Sequence, residues 1–304
     1  MEYRPIKERV PSLQYRDLLK CIIANGEQVD TQMEAEALRI TGHMMRFRLS
    51  EGFPLITERD IASAEPGRKS IFEQALGELC AFLAGEHTQE GLRKYGCSWW
   101  KRWVSKEKCE KRGLIEGDLG PGSYGPAWRN FPMSDGGSFD QITNVIEQIK
   151  ELPHLRTHFV SPWIPQYIYR GKGKIQKVVV VPCHGWFHIL INTATGEMDL
   201  HHIQRSCDAP VGLVANLIQY GALLMMIAQV TGYIPRELVY TTSDTHIYVK
   251  QMKDVEDLLV TEPQPLPTII MDPDVKNIFD FRPEHFKIED YSPQLSRRVI
   301  WTPV

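Results

Sequence analysis

Apolar positions along the chain change their spacing in a way that separates helices from strands. In "LQYRDLLKCIIANGE", Leu13 to Glu27, they recur at helical intervals and the run stops at Gly26, so an amphipathic helix is expected. "ALRITGHMMRFRLSEG", from Ala37, alternates more like a strand and ends in the turn before "FPLITER". "SIFEQALGELCAFLAGE", Ser70 to Glu86, reads as a buried helix with one carboxylate, Glu78, deep in its apolar pattern. "KRWVSKEKCEKRGLIEGDLGPGSYG", Lys101 to Gly125, begins charged and closes in a Gly/Pro turn cluster, which predicts a small exposed excursion or lid.

A helix over "DQITNVIEQIKEL" is followed by three strand candidates, "THFVSPW", "KIQKVVVVPCHGWFHILIN" and "MDLHHIQRS", the last two joined by the hairpin signal "TATGE". "VGLVANLIQYGALLMMIAQVTGYIP", Val211 to Pro235, is apolar on nearly every face and predicts a helix at the centre of the protein. "ELVYTTSDTHIYVK", "PTIIMD" and "FKIEDY" supply late strands. With no linker, repeat or low-complexity tract, the pattern predicts one α/β domain over residues 1–304 with an inserted excursion around 101–123.

Composition narrows the chemistry. A chain of 304 residues, 42% hydrophobic with a formal net charge of −3 and scattered cations, offers no basic stripe for nucleic acid, so a small-molecule substrate is expected. The charged start "MEYRPIKERV" does not read as a signal peptide, no stretch reaches the roughly 18 apolar residues of a membrane span, and a cytoplasmic protein without a membrane partner is expected. The six cysteines are irregularly spaced without a C-x-x-C pair, which argues against a disulfide framework. His201 and His202 lack neighbours at zinc-site spacing, so no metal is expected.

Cys183 in "VVPCHGWFHI" has two readings. A cysteine is ordinarily a small buried hydrophobe; at the end of the valine strand, after Pro182 and before His184, it is equally placed to open into a cleft as a nucleophile. A papain-like hydrolase with a distant base histidine fits the same residue. Glu78, ringed by Leu76, Leu79, Phe82 and Leu83, must be paired, watered or protonated if buried, and each suits proton handling. "QRSCD" sets Gln204, Arg205, Ser206 and Asp208 before the apolar helix, either as an anion site or as its cap. Asn216 lies inside that helix, where an amide needs specific partners, and alternation puts His246 and Tyr248 on one face of a strand, as a sugar site or a satisfied pair.

Taken together, "PCH" at 182–184, "QRSCD" at 204–208, Gly212, Asn216 and Tyr220, and "SDTHIYV" at 243–249 resemble the thymidylate synthase superfamily in order and spacing. The likeness runs from "LQYRDLLK" through "GELCAFLAGE" and "GDLGPGSYG" to "IFDFRPEHFKIEDY". It implies a large twisted mixed sheet packed by helices, a sheet-mediated homodimer, and transfer of a one-carbon unit from 5,10-methylenetetrahydrofolate to C5 of a pyrimidine nucleoside monophosphate. By that resemblance Cys183 adds to C6, Glu78 organises proton transfer with Tyr124, and Asn216 holds the base, with His184 beside the substrate. His246 and Tyr248 hold the sugar; Arg205 and Ser206 hold the phosphate, Gln204 orients the pocket, and Arg156 crosses to the neighbouring phosphate. Asp208, Trp100, Trp103 and Gly212 meet the folate.

Four positions depart from the family pattern. Gln32 stands where a loop arginine is usual, Thr157 replaces the second of an arginine pair, Ala215 leaves a smaller wall beside the folate, and Lys101 follows Trp100 where an acid is more usual. Arg39 or His158 could compensate for the lost phosphate charges. Weaker closure and a smaller wall favour water over hydride at the last step, so a nucleotide 5-hydroxymethylase acting on dUMP is expected, with thymidylate synthase the nearest alternative and a non-catalytic nucleotide-binding homologue the alternative of another class.

Overall fold

A computed structural model describes residues 1–303. The chain opens with α1 (Gln14–Asn25), then β1 (Glu27–Asp30) and β2 (Glu36–Arg48), a hairpin whose turn carries Gln32. Three helices follow: α2 (Ile71–Leu83), α3 (Gln89–Lys94) and α4 (Lys106–Glu110). After α5 (Tyr124–Arg129), the strands β3 (Phe131–Pro132) and β4 (Ser138–Phe139) pair with each other. Next come α6 (Gln141–Glu151), β5 (Phe159–Val160), α7 (Pro165–Ile168), β6 (His184–Asn192) and β7 (Glu197–Asp208). The chain then runs through α8 (Gly212–Thr231), β8 (Ile234–Tyr248), α9 (Met252–Leu259), β9 (Thr268–Met271) and β10 (Phe286–Glu289).

Six strands form one mixed sheet in the order β1-β2-β8-β7-β6-β5. Its neighbours pair antiparallel except β7 with β8, which are parallel because α8 carries the chain from one to the other. This crossover sets Asp208 opposite His246, and the antiparallel pairing of β2 sets Arg39 opposite His246 on the other side. Three polar residues from distant sequence thus form a row across the sheet. The last two strands, β9 and β10, make a separate antiparallel pair.

Helix α8 is buried from Leu213 to Ala228, as its apolar sequence demands. One expectation is corrected here: α8 is long and apolar enough, by length and composition, to cross a membrane, yet 89% of its apolar window is buried inside the protein. The cause is packing between the sheet and α2, which leaves no polar face to solvent. Gly232, at φ 82°, stops the helix in the left-handed conformation with its N–H on Ala228 O. At the start of α2, Ser70 and Glu73 close a reciprocal capping box. The expected excursion is anchored rather than free: Val104, Cys109 and Leu119 are buried, while Lys101, Arg102, Lys106 and Lys111 face solvent.

Candidate active site

The valine run is not a strand. Val178 and Val179 are buried, but Val179 N–H donates to Leu119 O at 2.9 Å, and regular pairing begins only at His184. Cys183 therefore immediately precedes a strand instead of ending one. The physical reason lies in two neighbours: Pro182 has no N–H to give a ladder, and Arg205 of β7 takes the carbonyls of Val181 and Pro182, each at 3.1 Å. The same guanidinium places Nη2 3.6 Å from Cys183 Sγ. Burial pushes the thiol up, Arg205 pulls it down, and Asp244 adds to the rise.

Tyr124, first residue of α5, stacks on Phe82 of α2 with ring centroids 4.7 Å apart. Its hydroxyl accepts the amides of Cys183 at 2.7 Å and His184 at 3.2 Å, which pins the backbone on both sides of the sulfur bond. Burial holds this phenol well above its ordinary value, so it stays protonated and retains a hydrogen to donate.

A continuous buried hydrogen-bond chain runs behind the cysteine. Tyr240 donates to Gln204 Oε1; Gln204 Nε2 donates to Ser206 O at 2.8 Å and to Asn216 Oδ1 at 3.0 Å. Asn216 Nδ2 donates to His184 Nε2 at 2.7 Å and to Gln219 Oε1 at 2.9 Å. Gln219 Nε2 then donates to Ala75 O at 3.2 Å and to Glu78 Oε2 at 2.5 Å. Burial pulls His184 down to about 3, so its imidazole is neutral and can accept from Asn216.

Glu78 ends the chain inside a cage of donors. Its Oε1 receives Trp99 Nε1 at 2.6 Å and Trp100 Nε1, with Cys97 Sγ 3.9 Å away. Burial pushes its carboxyl up and these bonds work against that rise. Gly77 makes the cage possible: a Cβ there would lie 2.3 Å from Tyr95 O, so only glycine lets the segment carrying both indoles press onto α2.

On β8, His246 and Tyr248 meet edge to face at 4.9 Å, and His246 Nδ1 lies 2.8 Å from Asp244 Oδ1. Burial opposes the charge of Asp244, but the bond to His246, with Arg39 and Arg205 nearby, wins and holds that carboxyl below its usual range. Arg39 pairs loosely with Glu27 at 3.8 Å. His158 is corrected as a compensating cation, because it is buried with Nδ1 on Gln148 at 2.9 Å and Nε2 on Pro153 O at 3.4 Å. Arg156 and Thr157 are exposed, while Arg170, from the hairpin before Cys183, reaches Gln32 Oε1 at 3.4 Å.

Asp208 already has three donors: Gln251 Nε2 at 3.0 Å, Thr302 Oγ1 at 2.8 Å and Val211 N–H at 3.3 Å. Burial raises its carboxyl against those bonds. Gln251 also donates to Trp301 O at 2.9 Å, and the Trp301 ring stands edge-on to Tyr248 at 5.8 Å. Gly212 opens α8 beside Asp208, whose Cβ would lie 3.8 Å from an added Cβ. Ala215 is buried on the same helix. Trp103 is joined to the Lys108 ammonium, 5.0 Å above its ring, and stays half-buried outside this cluster.

Five participants were missing from the sequence reading: Gln219, Tyr240, Gln251, Thr302 and Arg170. Gln219 carried a usable signal, since it follows Asn216 by three residues and so shares its face on an otherwise apolar helix. Gln251, Thr302 and Arg170 are brought in by the fold alone. Residues 13–300 match the profile of a known family, described as thymidylate synthase. The match spans nearly the whole chain and contains the cysteine, the amide chain and the caged glutamate. The chain thus belongs to the thymidylate synthase family, which carries out folate-dependent transfer of a one-carbon unit, from methylenetetrahydrofolate, to C5 of a pyrimidine nucleotide.

Proposed function

We propose that this protein is a pyrimidine nucleotide 5-hydroxymethylase that prefers dUMP to dCMP or CMP. The observation that carries the covalent step is the Arg205 guanidinium against the Cys183 thiol, with the neighbouring amides fixed on Tyr124. A pyrimidine C5 is a weak nucleophile until C6 is saturated. Cys183 Sγ, as thiolate, bonds to C6; the C5–C6 electron pair moves onto C5 and spreads toward O4. Arg205 favours the thiolate, Asn216 receives the base N–H, and Tyr124 and Glu78 handle the proton at C5. Trp100 and Asp208 hold the folate, which when bound supplies the one-carbon unit.

Once the C5 proton has been removed and tetrahydrofolate has left with the C–N electron pair, that unit stands on C5 as an exocyclic methylene, and water completes the reaction. Its oxygen bonds to the methylene carbon, a water proton passes to the Tyr124–Glu78 side, and the electron pair arriving at C5 expels Cys183 from C6. Gln32 supports this outcome, because a neutral, exposed amide at the hairpin tip provides less closure than a cation would. Thr302 on Asp208 and Trp301 O on Gln251 favour the second reading, a thymidylate synthase that excludes water and delivers hydride. The phosphate falls to Arg205 and Ser206, with Arg39, which acts on Asp244 beside them, as a further cation, and Arg170 reaching Gln32 at the hairpin tip. A homodimer across the half-buried sheet face of Trp186, His201 and Ile203 would bring the exposed Arg156 to a second site.

Incubation of the protein with dUMP, dCMP, UMP or CMP plus methylenetetrahydrofolate, followed by mass spectrometry, tests the assignment. A hydroxymethyl product with tetrahydrofolate supports it. A methyl product with dihydrofolate replaces it with the synthase, and no product from any nucleotide overturns both.

A further inference from the structure

We propose that Gln219 is a positioning residue that locks the Asn216 amide against rotation, so that the choice of base is set by the neighbours of Asn216 and not by Asn216 alone. An asparagine amide can turn over and exchange its donor and acceptor, which lets one side chain serve either uracil or cytosine. Here both ends of the chain forbid the exchange.

At the far end, Gln219 faces Ala75 O, a backbone acceptor, and Glu78, a carboxylate. Both need donors, so Nε2 must point at them and Oε1 must face Asn216. At the near end, Gln204 faces Ser206 O, another backbone acceptor, and receives the Tyr240 hydroxyl on Oε1. Its Nε2 must therefore point to Ser206 and to Asn216 Oδ1. Asn216 is left with its nitrogen toward Gln219 and His184 and its oxygen toward Gln204. Turning it over would set nitrogen against nitrogen and oxygen against oxygen in a buried site, each leaving a polar group unpaired.

This deepens the nucleotide reading above and rests on it. The test compares kcat/KM for dUMP and dCMP in the whole enzyme and in two nearly isosteric variants, with thermal melting to confirm folding. Gln219→Met removes all three bonds of Gln219 and frees the amide; the wild-type ratio between the preferred and the other base is expected to fall by at least about tenfold, chiefly through gain on the disfavoured base. Gln219→Glu keeps an acceptor toward Asn216, its carboxylate sharing a proton with Glu78, and is expected to keep the preference even as kcat drops. A merely structural residue would lower both substrates together. An unchanged ratio in Gln219→Met, a collapsed ratio in Gln219→Glu, or no base preference in the wild type overturns the proposal. If Gln219→Met does not fold, Gln219→Leu, which also removes all three bonds, takes its place under the same criteria. Absence of turnover by the wild type with any pyrimidine nucleotide strikes the nucleotide reading itself, and this inference falls with it.

Discussion

The side of the site proposed to hold the base and the side proposed to hold the phosphate are built by different means. Behind Cys183, Tyr240, Gln204, Asn216, Gln219 and Glu78 are buried and bonded end to end, and every one of them but Tyr240, which begins the chain, is held by two or more partners. Around Gln32, Arg170 and Arg39 the groups are half-buried or exposed, and their bonds are single and long. Low dielectric makes the first set costly to break, and solvent screening makes the second set easy to exchange. The difference teaches where a departure from the family pattern is tolerable: all four fall outside the bonded chain.

That contrast orders the expected effects of substitution. Cys183→Ala should lower product formation by about 10⁴-fold or more while leaving dUMP binding measurable by calorimetry, since it deletes the bonding atom and nothing in the chain behind it. Retained turnover would remove the assigned nucleophile. Arg205→Ala should cost roughly 10²–10³-fold in kcat/KM, and alkylation of Cys183 followed by peptide mass mapping should need a higher pH. The sign follows from burial raising the thiol and Arg205 opposing it, so its loss leaves less thiolate at any given pH. Faster alkylation in the variant would contradict this.

Tyr124→Phe should reduce kcat by about 10- to 100-fold and stability by about 1–3 kcal/mol in urea unfolding, because two amides lose their acceptor. On the exposed side, Arg170→Ala should raise the KM for dUMP only about 2- to 5-fold, with the effect shrinking in high salt. A loss there larger than that of Arg205→Ala would break the comparison. Smallest of all, Gln32→Arg should shift the product mixture a few-fold from hydroxymethyl toward methyl by tightening closure. Unchanged partitioning and affinity would end the closure argument.

The long elements were legible because burial marks the sequence, in α2 and β8 as apolar pattern and in α8 as an unbroken apolar run with no polar face. The valine run defeated the same reasoning, since four consecutive β-branched residues look like a strand whether or not their carbonyls find a ladder, and here Arg205 takes the carbonyls of Val181 and Pro182. Glu78 and Asn216 stood out as polar residues in apolar helices. Their partners Gln204 and Gln219 were visible as types, but the direction of each hydrogen bond came from backbone carbonyls that only the fold brings near. Thr302 on Asp208 joins positions 94 apart in sequence, and no spacing rule reaches that far.

Helix α8 also sets a tolerance for insertions and deletions. Its start is fixed in phase, because only three residues separate Asp208, the end of β7, from Gly212, where the helix opens, and Asn216 lies one turn inside it. One residue added between Gly212 and Asn216 would turn the amide by about 100° and carry it off Gln204, whereas one added after Thr231 would fall in the turn at Gly232. The two ends of one helix therefore differ in the length changes they can absorb: the first turn is a gear tooth, the last a loose end.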